Sequence, residues 1–212
     1  MTLNAAAPWA LINFDEVGGV IDLSNGLTAT NLAPGAVVVA HQGLVSNDAF
    51  TGTSGNDVLI GRGGNDVLDG GGGSDLLIGG GGYDTYRVGA TMGQTVINNL
   101  ASDGGTANGE VNFDAGITDQ QLWFEQVGND LQVDLLGTSN HVTISGWYAG
   151  NARAQVQSFD TADGLKLDTQ VAQLVTAMAT YSADNPGFDP TQVSQIPNDP
   201  TLQSAVAASW HS

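Results

Sequence analysis

The sequence predicts an all-β-dominated chain: a parallel β-solenoid of nine-residue blocks, flanked by β caps on both sides and ended by a short α-helical tail. Three observations predict it. Residues 52–87 hold glycine, aspartate and a large apolar residue in strict nine-residue phase. After them, short runs alternate apolar and polar residues, the period of a strand with one buried face. From residue 169 the apolar spacing becomes that of a helix.

The blocks read GTSGNDVLI, GRGGNDVLD, GGGGSDLLI and GGGGYDTYR, beginning at residues 52, 61, 70 and 79. Asp57, Asp66, Asp75 and Asp84 occupy one phase, and Leu59, Leu68, Leu77 and Tyr86 another. A degenerate block, GLVSNDAFT over 43–51, keeps Gly43, Asp48 and Phe50 in register. Each block reads as a six-residue turn followed by a three-residue strand whose middle side chain points inward. One block cannot bury its apolar residue alone, so the blocks must stack. Glycine at this density would ordinarily oppose order. Here it lets the backbone curl until carbonyl oxygens face a shared cavity. Hard cations such as Ca²⁺ take six to eight oxygens from carboxylates and carbonyls, which is what phased aspartates and bent loops offer.

These blocks resemble the nonapeptide G-G-x-G-x-D-x-apolar-x of the RTX (repeats-in-toxin, haemolysin-type calcium-binding) family. The resemblance implies a right-handed parallel β-roll with two nonapeptides per turn and each Ca²⁺ held between repeats i and i+2. It pairs Asp57 with Asp75 and Asp66 with Asp84, with Asp48 and Asp66 as a weaker third site. It draws main-chain oxygens from Gly55, Arg62, Gly64, Gly71, Gly73, Gly80 and Gly82. Thr53, Ser54 and residues 44–46 stand where loop glycines are expected, which weakens the first site. Carboxylates stacked about 5 Å apart repel by roughly 1 kcal/mol in water and more at lower dielectric. The repeat is therefore expected to be disordered without calcium and ordered with it.

Upstream, Val20, Leu23, Leu27, Val37, Val38 and Val39 suggest short strands, with turns at Asn25–Gly26 and Pro34–Gly35, in keeping with an N-terminal β cap over 1–42. The nonapeptide roll spans 43–87. Strands are expected at Leu122–Val127, 131–136 and 142–145 within a β-rich capping region over 88–166. The run from Val111 to Tyr148 resembles the haemolysin-type region that follows such repeats. There Trp123, Phe124, Trp147 and Tyr148 read as packing residues. Val171, Leu174, Val175, Met178 and Tyr181 mark one helix, with Asp168 or Thr169 as N-cap. Asp199 caps a second, with Pro200 at its first position. This tail over 167–212 resembles the uncleaved C-terminal signals of type I secretion, and it also suits a helical cap.

The chain has 22 acidic and 4 basic residues among 212, a net charge of −18. That balance disfavours nucleic acid and anionic membranes and favours multivalent cations. With no cysteine there is no disulfide or thiolate chemistry, and no apolar run approaches the ~20 residues of a membrane span. His41, His141 and His211 lie far apart, outside zinc-ligand spacing, and no catalytic motif appears, so no enzyme is expected. The expected function is a calcium-binding RTX module, secreted or at the cell surface. It would fold on Ca²⁺ outside the cell and meet the type I secretion machinery transiently, alone or joined to an upstream domain. The alternatives are a calcium-dependent adhesin or surface-layer spacer, or the non-catalytic part of an RTX enzyme.

Overall fold

The computed structural model describes residues 39–43, 45–100 and 107–212. Apart from Val39–Gln42 the expected N-terminal cap, with Val20, Leu23, Leu27, Val37 and Val38, lies outside them. The chain is mostly β, twelve strands in one curled sheet, with two short α-helices among the described residues. The first strands are β1 (Val39–Gln42), β2 (Ala49–Thr51), β3 (Asp57–Gly63), β4 (Val67–Asp69) and β5 (Leu76–Val88). All pair in parallel: β1 with β3, β3 with β5, β2 with β4, and β4 with β5. The register skips one block each time, so Leu59 lies beside Leu77 and Leu68 beside Tyr86. Alternate blocks thus feed two stacks whose inward side chains meet.

The structure differs from the expected alternation of six-residue turns and three-residue strands. β2 and β4 have three residues, but β3 has seven and β5 thirteen, running on through the loop glycines. The reason is that stacked glycine loops are themselves in register, Arg62 beside Gly80 and Gly63 beside Gly81. Their main chains hydrogen-bond directly, Gly64 N to Gly81 O at 2.9 Å and Gly72 N to Thr53 O at 2.8 Å. Without Cβ atoms the loops approach as closely as strands do.

Leu59, Leu68, Leu77 and Tyr86 are fully buried. Fully burying a leucine contributes about 1.5–3 kcal/mol, so this ladder is the apolar spine of the repeat. It continues beyond the repeat through β6 (Gln94–Asn98) and β7 (Ala107–Phe113), where Ile97 follows Leu77 and Val111 follows Tyr86.

The sheet then turns antiparallel. β8 (Leu122–Val127), β9 (Asp130–Leu135) and β10 (His141–Ile144) form a meander joined to β6 through β10, and their bounds lie within a residue or two of those expected. On the other stack β11 (Ser158–Asp160) adds in parallel to β7, and β12 (Lys166–Leu167) closes antiparallel to β11. Phe124, Phe159, Trp147 and Trp210 pack ring against ring in this cap, with Phe124 and Phe159 5.2 Å apart edge-on.

Helix α1 (Val171–Asp184) buries Val171, Leu174, Val175 and Met178, and it packs on β8. Trp123 lies against Tyr181 and Phe188, at 6.0 and 4.4 Å between ring centroids. Its N-cap is Gln170, not Asp168 or Thr169. The Asp168 carboxylate instead accepts the Thr169 amide and lies 3.6 Å from His211 Nε2, so it is not free to cap. Helix α2 (Pro200–Ser209) begins as expected, with Asp199 accepting from the Thr201 and Leu202 amides at 2.9 Å. No helix is long and apolar enough to cross a membrane among the described residues.

Candidate metal centre

The aspartate phase becomes two ladders of side chains running along the stacks. Asp75 Oδ1 accepts the Asp57 amide at 2.9 Å, and Asp84 Oδ1 accepts the Asp66 amide at 3.0 Å. Asp66 Oδ1 in turn accepts the Asp48 amide at 2.8 Å. The structure therefore brings together the pairs that the sequence set two blocks apart. Asp57, Asp66, Asp75 and Asp84 are 0–1% exposed, while Asp48 is half-buried.

Oδ1 of Asp66, Asp75 and Asp84 is spent on a backbone amide. The second oxygens of Asp66, Asp75 and Asp84 are buried and accept no hydrogen bond. A buried carboxylate oxygen without a partner is costly and signals a missing positive partner. Burial pushes the Asp75 carboxyl up to about 7, with the Asp57 and Asp69 charges adding to it. Burial likewise pushes Asp84 up to about 6, aided by the Asp66 charge, and raises Asp66, aided by Asp48. A cation beside these carboxylates would offset the cost of their burial.

The loops are where further oxygens would come from. Arg62, Gly64, Gly71, Gly73, Gly80 and Gly82 all have positive φ, between 78° and 126°. Such angles turn successive carbonyls to alternate sides, and Arg62 adopts one without being glycine, at a cost of roughly 1–2 kcal/mol. A Cβ on Gly80 would strike the Arg62 carbonyl, and one on Gly82 the Gly64 carbonyl. Gly71 and Gly73 face the carbonyls of Thr53 and Gly55 in the same way. The carboxylates crowd the glycines that open each block: a Cβ on Gly61, Gly70 or Gly79 would strike Oδ2 of Asp66, Asp75 or Asp84. Orphaned carboxylate oxygens beside stacked carbonyls fit a hard divalent cation. Among the described residues no three carboxylates or imidazoles converge, so main-chain oxygens must dominate any such shell.

The first block departs from this. Asp57 Oδ2 accepts the Thr53 amide at 2.6 Å and the Thr53 hydroxyl at 3.0 Å, and Thr53 Oγ1 accepts the Gly55 amide. Gly55 is absent from the left-handed glycines. Threonine in place of glycine thus lets the loop satisfy its own aspartate. His141 lies half-buried 4.0 Å from Asp134, and His211 lies beside Asp168, both apart from the ladders.

Residues 51–86 match the RTX calcium-binding nonapeptide repeat, in four copies. The chain carries RTX repeats. Residues 130–170 match the haemolysin-type calcium binding protein related domain, which covers the antiparallel cap from β9 to the start of the tail. RTX repeats of this haemolysin type bind Ca²⁺, and the chain is a calcium-binding module. Both matched families are calcium-binding ones; neither is enzymatic. Reasoning from sequence alone missed the Thr53 cap on Asp57, although its signal, a hydroxyl residue at a loop-glycine position, stood in the block itself.

Proposed function

We propose that the RTX repeats wind into a right-handed parallel β-roll that folds on Ca²⁺ outside the cell, and that this folding supports type I secretion of the chain or of a larger protein joined to it. The observation that carries the reading is the set of three buried, unpartnered carboxylate oxygens on Asp66, Asp75 and Asp84. The right hand follows from the strong preference of parallel crossovers. Asp57 with Asp75 and Asp66 with Asp84 hold the ions, and Asp48 with Asp66 forms a weaker site. Carbonyls of Gly55, Arg62, Gly64, Gly71, Gly73, Gly80 and Gly82 complete the shells.

Bound between stacked loops, a divalent cation supplies the positive charge and the coordination that the buried carboxylates lack. The chain's own residues do the rest. Oδ1 of Asp66, Asp75 and Asp84 pins the loop two blocks earlier and leaves the second oxygen for the ion. The glycines admit carbonyls where a Cβ would exclude them, and the leucine spine buries the inner face. At cytosolic calcium, repulsion between paired carboxylates and glycine entropy oppose the coil, and the chain stays open for export. At millimolar calcium the coil closes, because binding only to the folded form adds RT ln(1 + [L]/Kd) per site. We assign 1–42 as an N-terminal cap, 43–87 as the roll, 88–166 as the β cap, and 167–212 as the tail that bears the secretion signal and caps the sheet.

Far-ultraviolet circular dichroism during a calcium titration tests this. The expected result is a gain of β signal between sub-micromolar and millimolar calcium, absent with magnesium at equal concentration. A repeat equally ordered in chelator and in calcium overturns the switch.

A further inference from the structure

The parallel stack does not stop where the repeat ends. Residues 90–95, ATMGQT, lie on the 71–75 loop as one more loop of the coil. Gly73 pairs with Met92 in a parallel bridge, and the Gly93 amide donates to the Gly73 carbonyl. Gln94 N donates to Ser74 Oγ at 3.0 Å, and Val96 N donates to the Asp75 carbonyl at 2.7 Å. Leu76 is beside Val96. Thr95 therefore stands, one turn on, where Asp75 stands relative to Asp57.

Both residues of this register pair carry a buried polar atom without a hydrogen-bond partner: Asp75 Oδ2 and Thr95 Oγ1. Their residues are 1% and 3% exposed. Main-chain oxygen is at hand as well, since a Cβ on Gly72 would lie 3.4 Å from the Thr91 carbonyl oxygen. The Ala90 and Gly93 carbonyls are taken by Asn140 Nδ2 and the His141 amide, which fix the far side of the loop.

We infer that Thr95 and its 91–95 loop complete a further calcium site with Asp75, lying beyond the four matched repeats. The inference rests on the proposal that the buried aspartates ligate calcium. The site has one carboxylate, shared with the Asp57–Asp75 site, where a repeat pair has two. Fewer ligand charges make a weaker calcium site, so it fills last. It ties the end of the repeat to the β cap, because the ligating loop leads directly into β6.

Calcium stoichiometry on the full chain tests it, read by isothermal titration calorimetry with calcium chloride and by metal analysis after dialysis. Thr95→Val keeps shape and removes the hydroxyl. It is expected to lose the weakest site, or to weaken it by at least about tenfold, the worth of one good contact. Thr95→Ser is expected to retain the site. Unchanged stoichiometry and affinities in Thr95→Val overturn the inference while leaving the repeat sites standing. Should the wild-type chain itself bind no calcium, the inference falls together with the proposed function. Thr95→Asp restores the second carboxylate and reads independently of whether the valine variant folds. Tightening of the weakest constant by about tenfold or more supports the site, and no change overturns it.

Discussion

Replacing Asp75 by asparagine separates the cost of its charge from the worth of its hydrogen bond. The asparagine side chain keeps an Oδ1 to accept the Asp57 amide, a bond of 2.9 Å in the wild type, but carries no charge. In the calcium-free fold burial pushes the Asp75 carboxyl from 3.8 up to about 7. At about 1.4 kcal/mol per pH unit, ionising it costs that fold on the order of 4 kcal/mol, an upper limit because water can reach a loose loop. A raised carboxyl stabilises the fold below the unfolded value and loses that contribution as pH rises through the folded one. The calcium-free wild type should thus become harder to fold between pH 4 and pH 7, and Asp75→Asn much less so. The assay is circular dichroism in chelator, with trimethylamine oxide added to bring the repeat into its folding transition. At pH 8 Asp75→Asn is expected to fold at lower osmolyte by at least about 1 kcal/mol, and below about pH 3.8 the two should converge. In calcium the order reverses, since the variant lacks a charged ligand. Equal pH dependence in the two proteins, or no advantage for the variant at pH 8, refutes the reasoning.

Two further predictions probe the loop and the tail. Gly80→Ala places a Cβ on the Arg62 carbonyl at a φ of 105°, and it should cost at least about 2 kcal/mol and raise the calcium midpoint of folding. Gly187→Ala, with open space around it, should leave that midpoint unchanged. Asp199→Ala removes the acceptor for the Thr201 and Leu202 amides. It should cost about 1 kcal/mol in thermal or urea unfolding of the tail without moving the calcium midpoint.

The repeat was legible because its constraint is periodic. A nine-residue phase of glycine, aspartate and leucine admits few structures that bury the apolar residue and satisfy the backbone. The meander of β8 to β10 was legible for a similar reason, since Leu131, Val133 and Leu135 alternate with Gln132 and Asp134. The boundaries of β3 and β5 were not, because pairing across glycine loops depends on how closely two loops approach, which no single block specifies. Nor was the α1 cap: Gln170 holds that place only because Asp168 is engaged by Thr169 and His211. Thr95 escaped notice since its loop is spaced by twenty residues from its partner, as in Gln94 and Ser74, rather than by eighteen. The register slips by two at the point where the motif ends.

Each side-chain link between loops has a direction. Asp84 grips the main chain at Asp66, and Asp66 grips it at Asp48, whereas the asparagine links run the opposite way, Asn47 accepting the Asn65 amide and Asn65 the Tyr83 amide. Loss of an aspartate therefore frees the loop upstream of it, while loss of an asparagine frees the loop downstream. Along each flank of the sheet, order is handed both ways, backwards by carboxylates and forwards by side-chain amides.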